Sequence, residues 1–203
     1  MTVSKDPAGS ASGGRVGVLA LQGAFAAHEL ALTGLGVATT QVRTPTDLAR
    51  VDALVMPGGE STTMSRLLET SGMFDDLKAR LSDGMPVFGT CAGMILLATD
   101  VLDGRPDQRS FGAIDITVQR NGYGRQVDSF ESDVNVDGFD SPFHAVFIRA
   151  PKVMAVGTGV KVVASHDEVP VLAIQGHVMV ASFHPELTAD NRLHAMFCEL
   201  IGS

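Results

Sequence analysis

The sequence has few of the residues that several protein classes require. Only two of its 203 residues are cysteine, Cys91 and Cys198, so neither a disulfide framework nor a cysteine zinc site is expected. Basic residues are outnumbered, 15 Lys and Arg against 23 Asp and Glu, and the net charge of -8 disfavours binding to nucleic acid or to an anionic membrane. No apolar run approaches the roughly 18 residues that span a bilayer. We therefore expect small-molecule ligands and protein partners.

The first 14 residues, "MTVSKDPAGSASGG", lack the apolar segment of a signal peptide. Their Ser, Gly and Ala content predicts a disordered tail over residues 1–14. The absence of a signal peptide predicts a cytoplasmic protein. The remaining residues, 15–203, have the length of one domain with a sizeable core.

Strand and helix patterns alternate through the first half of the chain. Buried strands are predicted at 15–21, 37–43 and 52–59, and helices at 24–35, 62–70 and 74–82. Such alternation is typical of a parallel sheet. From about residue 111 to residue 181 the runs become short and β-rich, which predicts an antiparallel insertion, and a last helix is predicted at 190–201. The predicted fold is α/β, with a mostly parallel, doubly wound sheet in three layers.

The stretch "PVFGTCAGMILLA", residues 86–98, predicts a strand, a sharp turn and a helix, with Cys91 in the turn. A nucleophile in such a turn has a strained backbone, which only small neighbours such as Gly89 and Gly93 permit. The N-terminus of the following helix favours the thiolate. Cys91 is therefore a candidate nucleophile, although this stretch alone fits a buried structural cysteine equally well. Cys198 lies in the apolar helical pattern "LHAMFCELI", which indicates core packing.

A second motif, "VMVASFHPEL", ends an apolar strand in His184-Pro185-Glu186. Residues two apart in an extended chain point to the same side, so we expect Glu186 to lie beside His184. A thiol nucleophile needs a base, and the base needs a carboxylate that orients it. Alone, such a motif at a strand end is more often an ordinary loop than a catalytic pair. Combined with the Cys91 turn, it favours a Cys-His-Glu triad.

A third motif, "LVMPGGESTT", predicts a strand, a glycine turn and a helix that Ser61 or Thr62 caps. Gly58 and Gly59 allow backbone N–H groups to approach a ligand closely, as an oxyanion hole requires. A plain strand-to-helix turn with a good cap is the alternative.

These motifs together resemble the class I, triad-type glutamine amidotransferases. Within that class, six blocks are similar, in the same order, to the glutaminase subunits of pyridoxal 5'-phosphate synthases: "LALQGAFAAHE", "MPGGESTTM", "FGTCAGMILLA", "RNGYGRQVDSFE", "FIRAP" and "SFHPELTADNRLH". The resemblance spans nearly all of the chain after the tail. It implies a flavodoxin-like fold and the hydrolysis of L-glutamine to glutamate and ammonia, without a cofactor or metal. It also implies a hetero-oligomer in which ammonia passes through a tunnel to a barrel-shaped synthase subunit.

The resemblance implies a role for each matching residue. Cys91 is the nucleophile that forms a glutamyl thioester, His184 is the acid and base, and Glu186 orients His184. The residues that match the family's glutamine-binding positions are Gly59, Glu60, Ser61, Arg120, Ile148 and Arg149. Such a mixture suits glutamine, which carries both a carboxylate and an ammonium group.

Gln22 is a further candidate, because it follows the first strand at the end where α/β sheets gather ligands. A simple turn residue is the alternative for Gln22. For Arg120 and Arg149 the alternative is a surface arginine.

The chain departs from the family pattern in two places. Gly122 and Tyr123 stand where a small residue and a phenylalanine are usual, and Ala26 and Ala27 stand where polar or charged residues are common. The second departure bears on docking to the synthase, because the first helix belongs to the region where the family meets its partner.

Three other functions fit parts of the pattern. A glutaminase subunit of another amidotransferase would share the triad, but the block at residues 120–131 disfavours it. A cysteine hydrolase acting alone on γ-glutamyl compounds would need no partner. A catalytically silent binding subunit is disfavoured because all three triad residue types are present.

Overall fold

The computed structural model describes residues 14–105, 107–120 and 129–202. Apart from Gly14, the predicted tail at 1–14 lies outside these residues, as do Gly122 and Tyr123.

Twelve strands are present in the described part of the chain. They are β1 (Val16–Leu19), β2 (Thr39–Val42), β3 (Ala53–Met56), β4 (Val87–Thr90), β5 (Ala98–Val101), β6 (Ile114–Gln119), β7 (Ser129–Val134), β8 (Phe143–Ile148), β9 (Lys152–Val156), β10 (Lys161–His166), β11 (Val169–Gln175) and β12 (Val178–Ala181).

The same residues contain six α-helices and one 3-10 turn. The helices are α1 (Phe25–Gly34), α2 (Pro45–Leu48), α3 (Ser61–Thr70), α4 (Met73–Ser82), α5 (Ala92–Leu97) and α6 (Arg192–Ile201), and the 3-10 turn is Pro185–Leu187.

Seven strands form the main sheet, in the order β10-β11-β12-β4-β3-β1-β2. The five strands from β12 to β2 are parallel, and β11 and β10 extend that sheet as antiparallel neighbours. The central strands are buried along their whole length because helices cover both faces of the sheet.

The alternation of β3 shows how the three layers form. Leu54 and Met56 belong to a buried cluster with the apolar residues of α3, α4 and α5. Ala53 and Val55 point to the other face and belong to a second cluster, with residues of α1 and α6. The predicted α/β fold with a mostly parallel, doubly wound sheet is therefore confirmed.

The β-rich region between residues 111 and 181 does not form one antiparallel sheet. β12 was predicted within the insertion, yet it pairs in parallel with β4, with Val180 opposite Gly89. β6 pairs with β5 and β9 in a three-stranded sheet, and β7 and β8 form a separate hairpin. The antiparallel part is thus divided between the edge of the main sheet and two small sheets.

Candidate active site

Cys91 lies in the turn between β4 and α5. Its backbone has φ 48° and ψ -102°, a strained conformation for a residue with a side chain, and its N–H donates to the Ala181 carbonyl at 2.8 Å. Small residues are required beside it, because a Cβ on Gly93 would overlap the Met56 carbonyl oxygen and a Cβ on Gly89 would lie 2.7 Å from the Gly93 carbonyl carbon. The predicted sharp turn is therefore present, and it places the Cys91 thiol at the carboxyl end of β4.

His184 and Glu186 follow β12, the neighbour of β4. The His184 N–H donates to the Val146 carbonyl at 2.9 Å, and Nδ1 of His184 lies 2.8 Å from Oε1 of Glu186. The two side chains meet, but not through the extended chain that was predicted. Pro185–Leu187 is a 3-10 turn, and this turn brings the Glu186 carboxylate back to the ring.

The environment of His184 favours its protonated form. Burial alone would lower the pKa of His184, but hydrogen bonds with Cys91 and Glu186 outweigh burial and raise it to about 10. Burial would raise the pKa of Glu186, but the hydrogen bond with His184 and the neighbouring histidines lower it. The His184 imidazole therefore lies between the Cys91 thiol and the Glu186 carboxylate, and its Nδ1 is hydrogen-bonded to the carboxylate.

A cavity of about 420 Å³ lies beside Cys91 and His184. All the predicted glutamine-binding and oxyanion-hole residues line it: Gln22, Gly58, Gly59, Glu60, Ser61, Arg120, Ile148 and Arg149. Gly23, Ala24 and Ile95 line it as well and were not predicted. Glu186 does not line the cavity, because it is buried behind His184.

Glu60 lines the cavity and caps a helix beside it. Its carboxylate caps α3 by accepting from the N–H groups of Thr62 at 3.0 Å and Thr63 at 2.7 Å, so the predicted caps, Ser61 and Thr62, are wrong. The helix begins at Ser61, one residue earlier than expected, which places residue 60 at the cap. Partial burial opposes ionisation, but these hydrogen bonds lower the pKa of Glu60 to about 2.

Arg120 and Gln22 both contact Glu60. Nη2 of Arg120 lies 2.8 Å from Oε1 of Glu60, and Oε1 of Gln22 accepts from the Glu60 N–H at 3.3 Å. Arg120 is the less exposed partner of the ion pair, and its Nε is buried without a protein partner among the residues that the structure describes. Within the described part of the chain, Nε of Arg120 is therefore a buried donor without a partner.

The glycine turn after β3 is packed against the triad. A Cβ on Gly58 would overlap Cε1 of His184, and a Cβ on Gly23 would overlap the Gly58 carbonyl oxygen. Neither position has room for a side chain. Ile148 and Arg149 line the same cavity at the end of β8: the Ile148 carbonyl oxygen lies 3.9 Å from the Cys91 sulfur, and Arg149 has a positive φ of 45°.

Two buried histidines next to the triad were missed from the sequence. Nε2 of His28 lies 3.3 Å from Oε2 of Glu186, and Nδ1 of His28 lies 2.9 Å from Nε2 of His194. Burial lowers the pKa of His28 to about 4 and that of His194 to about 3, so both rings are neutral at pH 7. For His28, the sequence contained one signal of burial, which is its helical spacing from apolar residues. His28 lies on the same face of α1 as the buried residues Ala31 and Leu32.

Two other features of the described chain bear on function. None of its helices is long and apolar enough to cross a membrane. Within the same ranges, no group of three or more His, Cys, Asp or Glu side chains is arranged to hold a metal ion.

Comparisons with known proteins agree with the fold and identify the family. The model of the SNO glutamine amidotransferase family matches residues 18–203. The pyridoxal 5'-phosphate synthase subunit PdxT of Frankia alni is 52% identical over 193 residues, covering 95% of this chain and 97% of that protein. PdxT of Thermosipho africanus is 51% identical over 187 residues, covering 92% and 98%. A crystal structure of a glutamine amidotransferase, 48% identical, superposes with a TM-score of 0.87 over 93% of this chain and 99% of its own. This chain therefore belongs to the SNO glutamine amidotransferase family.

Proposed function

We propose that this chain is the glutaminase subunit of a pyridoxal 5'-phosphate synthase. It hydrolyses L-glutamine to L-glutamate and ammonia and delivers the ammonia to a synthase subunit. One observation carries the proposal: in a member of a glutamine amidotransferase family, Cys91 and His184 line a cavity of about 420 Å³, and Glu186 contacts His184 from behind. The PdxT relatives support the choice of synthase.

The reaction proceeds through a thioester. The Cys91 thiol gives its proton to His184, and its sulfur attacks the side-chain amide carbon of glutamine, forming a C–S bond as negative charge moves to the amide oxygen. His184 donates a proton to the amide nitrogen as the C–N bond breaks, which releases ammonia and leaves a glutamyl thioester. Water then attacks the thioester carbon and gives a proton to His184. The C–S bond breaks, the sulfur takes that proton from His184, and glutamate leaves with the Cys91 thiol restored. The raised pKa of His184 suits the proton donation step.

Substrate recognition uses the two ends of glutamine. The arginines, Arg120 and Arg149, supply positive charge for the α-carboxylate, and Glu60 supplies negative charge for the α-ammonium group. Gln22 fixes the Glu60 backbone, which keeps the turn in place. The charges that line the cavity therefore match a zwitterionic amino acid.

The oxyanion hole is the proposed point of control. Negative charge develops on the amide oxygen during attack, and N–H groups near Gly58 and Gly59 stabilise it. The Gly58 carbonyl packs against Gly23, so this peptide can rotate only if that contact changes. Binding of the synthase turns the peptide and activates hydrolysis, which avoids the loss of ammonia to water when no acceptor is present.

Three details of the proposed function are predictions: the partner is barrel-shaped, the two subunits form a hetero-oligomer with an ammonia tunnel, and the protein is cytoplasmic. One domain over residues 15–203 is a prediction of the same kind.

The proposal is tested by glutamine-dependent formation of pyridoxal 5'-phosphate. Purified chain and synthase subunit are mixed with the synthase's other substrates and either glutamine or an ammonium salt. Wild-type chain should support formation from glutamine, whereas Cys91→Ala should not. The ammonium salt should restore formation with Cys91→Ala, which shows that only the ammonia supply has been lost. Product from glutamine with Cys91→Ala, or glutamate release at full rate without any synthase, would contradict the proposal.

A further inference from the structure

Two histidines lie behind the triad and take no part in the chemistry described above. His28 is on α1 and His194 is on α6, and both side chains are fully buried. The Glu186 carboxylate lies between them and His184, because Oε1 contacts His184 at 2.8 Å and Oε2 lies 3.3 Å from Nε2 of His28. Helix α1 therefore contacts the orienting carboxylate through His28, and α6 contacts His28 through His194.

Oε2 of Glu186 has no well-aligned hydrogen bond in the described structure. Nε2 of His28 lies 3.3 Å from this oxygen and also 3.3 Å from the Thr90 hydroxyl. A buried carboxylate oxygen without a donor is costly. The His28 ring is in position to reduce this cost, and a ring N–H facing Oε2 would restrain rotation of the carboxylate.

The contacts indicate how protons are placed on the two rings. Each ring is neutral because it is buried, so each carries one proton. A bare Nε2 on His28 would face the negative Oε2 at 3.3 Å, so the proton belongs on Nε2, where the Thr90 hydroxyl, also at 3.3 Å, is a second acceptor. The bare Nδ1 of His28 then accepts from the Nε2–H of His194 at 2.9 Å. Nδ1 of His194 is left as a lone pair, and it has no partner among the described residues.

We propose that His28 is a positioning residue for the triad, whose Nε2–H holds the second carboxylate oxygen of Glu186. His194 holds His28 in the tautomer that donates. The inference rests on the proposed catalytic role of the Glu186 and His184 pair. It adds a two-histidine support, built from α1 and α6, to the orienting residue of that pair.

The test compares His28→Gln with His28→Leu in the full chain, assayed with the synthase subunit. Glutamine keeps an N–H donor near the Nε2 position, and leucine removes it. His28→Leu should lower kcat about tenfold and change KM less than about twofold, because the substrate does not touch His28. His28→Gln should recover kcat to within about threefold of wild type. His177→Leu, in the exposed turn between β11 and β12, is the control and should match wild type.

The pH profile provides a readout that packing alone would not change. The titratable groups facing the His28 ring are Glu186 and His184, after β12, and His194 on α6. Without the His28 donor, Glu186 takes up a proton more readily, so the acid limb of kcat/KM should move to higher pH in His28→Leu and not in His28→Gln. Equal kcat in His28→Leu and wild type would overturn the proposal. Equal losses in both variants, with an unmoved acid limb, would also overturn it.

Two further measurements keep the outcome interpretable. Glu186→Gln is assayed in parallel. If this variant remains fully active, the proposed triad is wrong. If Glu186→Gln is inactive while His28→Leu is fully active, only the proposed role of His28 is refuted. If the leucine variant does not fold, nitrogen-15 NMR of histidine-labelled wild-type chain decides. A neutral Nε2–H tautomer of His28 near pH 7 is expected, and an Nδ1–H tautomer would overturn the proposal.

Discussion

Mild acid should destabilise this fold through His28. Burial lowers the pKa of His28 from the ordinary 6.5 to about 4. Between these two values the unfolded chain binds a proton that the folded chain does not, so stability decreases as the pH falls. Each pKa unit corresponds to about 1.36 kcal/mol, which gives about 2 kcal/mol lost between about pH 7.5 and about pH 5. The full loss, reached below the folded pKa, is about 3 kcal/mol.

The assay is urea unfolding followed by circular dichroism, since the chain has no tryptophan to report by fluorescence. Wild type and His28→Gln are compared at both pH values. Wild type should lose about 2 kcal/mol more than the variant on acidification, because glutamine does not titrate.

The comparison with His28→Gln removes the effects of other groups. His184, whose pKa is raised to about 10, stabilises the fold fully below pH 6.5 and loses this contribution as the pH rises through 10. This opposing trend is common to both proteins. His194 adds an acid-induced loss of its own, because burial lowers its pKa to about 3. Equal losses of stability in wild type and variant would refute a neutral, buried His28.

Three further predictions concern the proposed catalytic site. Glu186→Gln and His184→Ala should each lower glutaminase activity by several orders of magnitude, and the double variant should be little worse than the worse single one; multiplicative losses would indicate separate mechanisms. Gly23→Ala should overlap the Gly58 carbonyl and lower activity by about 10². Gly36→Ala, with a similar positive φ but an open neighbourhood, should carry the same kind of backbone strain without loss of activity; equal activity losses would contradict the packing argument. Addition of the synthase subunit should raise glutamate release at least about tenfold, and an unchanged rate would refute the control at the oxyanion hole.

Much of the candidate site could be predicted because the sheet is parallel. The candidate residues Gln22, Gly58, Cys91 and His184 each follow a strand, and the four strands, β1, β3, β4 and β12, are neighbours. The carboxyl ends of parallel neighbours meet at one edge, so motifs distant in sequence come together there. Local patterns at strand ends are therefore sufficient to predict that these four residues gather, whereas Arg120, Ile148 and Arg149 were predicted from the resemblance to the family.

Other features depend on contacts that local patterns do not contain. The parallel pairing of β12 with β4 is not visible in the apolar run of β12, which suits either kind of sheet. The short elements α2, β5 and β9 were not predicted. For α2 a signal was present, because Thr44 and Asp47 have the spacing of a capping box, which indicates the start of a helix. The pairing of His28 with His194 joins residues 166 positions apart, so only the folded chain reveals it.

The most direct test of the central claim is covalent labelling by a glutamine analogue that carries an electrophile, followed by peptide mapping in the presence of the synthase subunit. The account predicts one adduct, on Cys91, that excess glutamine prevents. Cys198 should remain unlabelled, because it is partly buried in α6 and burial raises its thiol pKa. An adduct mainly on Cys198, or labelling of Cys91 that glutamine does not reduce, would contradict the assignment of Cys91 as the nucleophile.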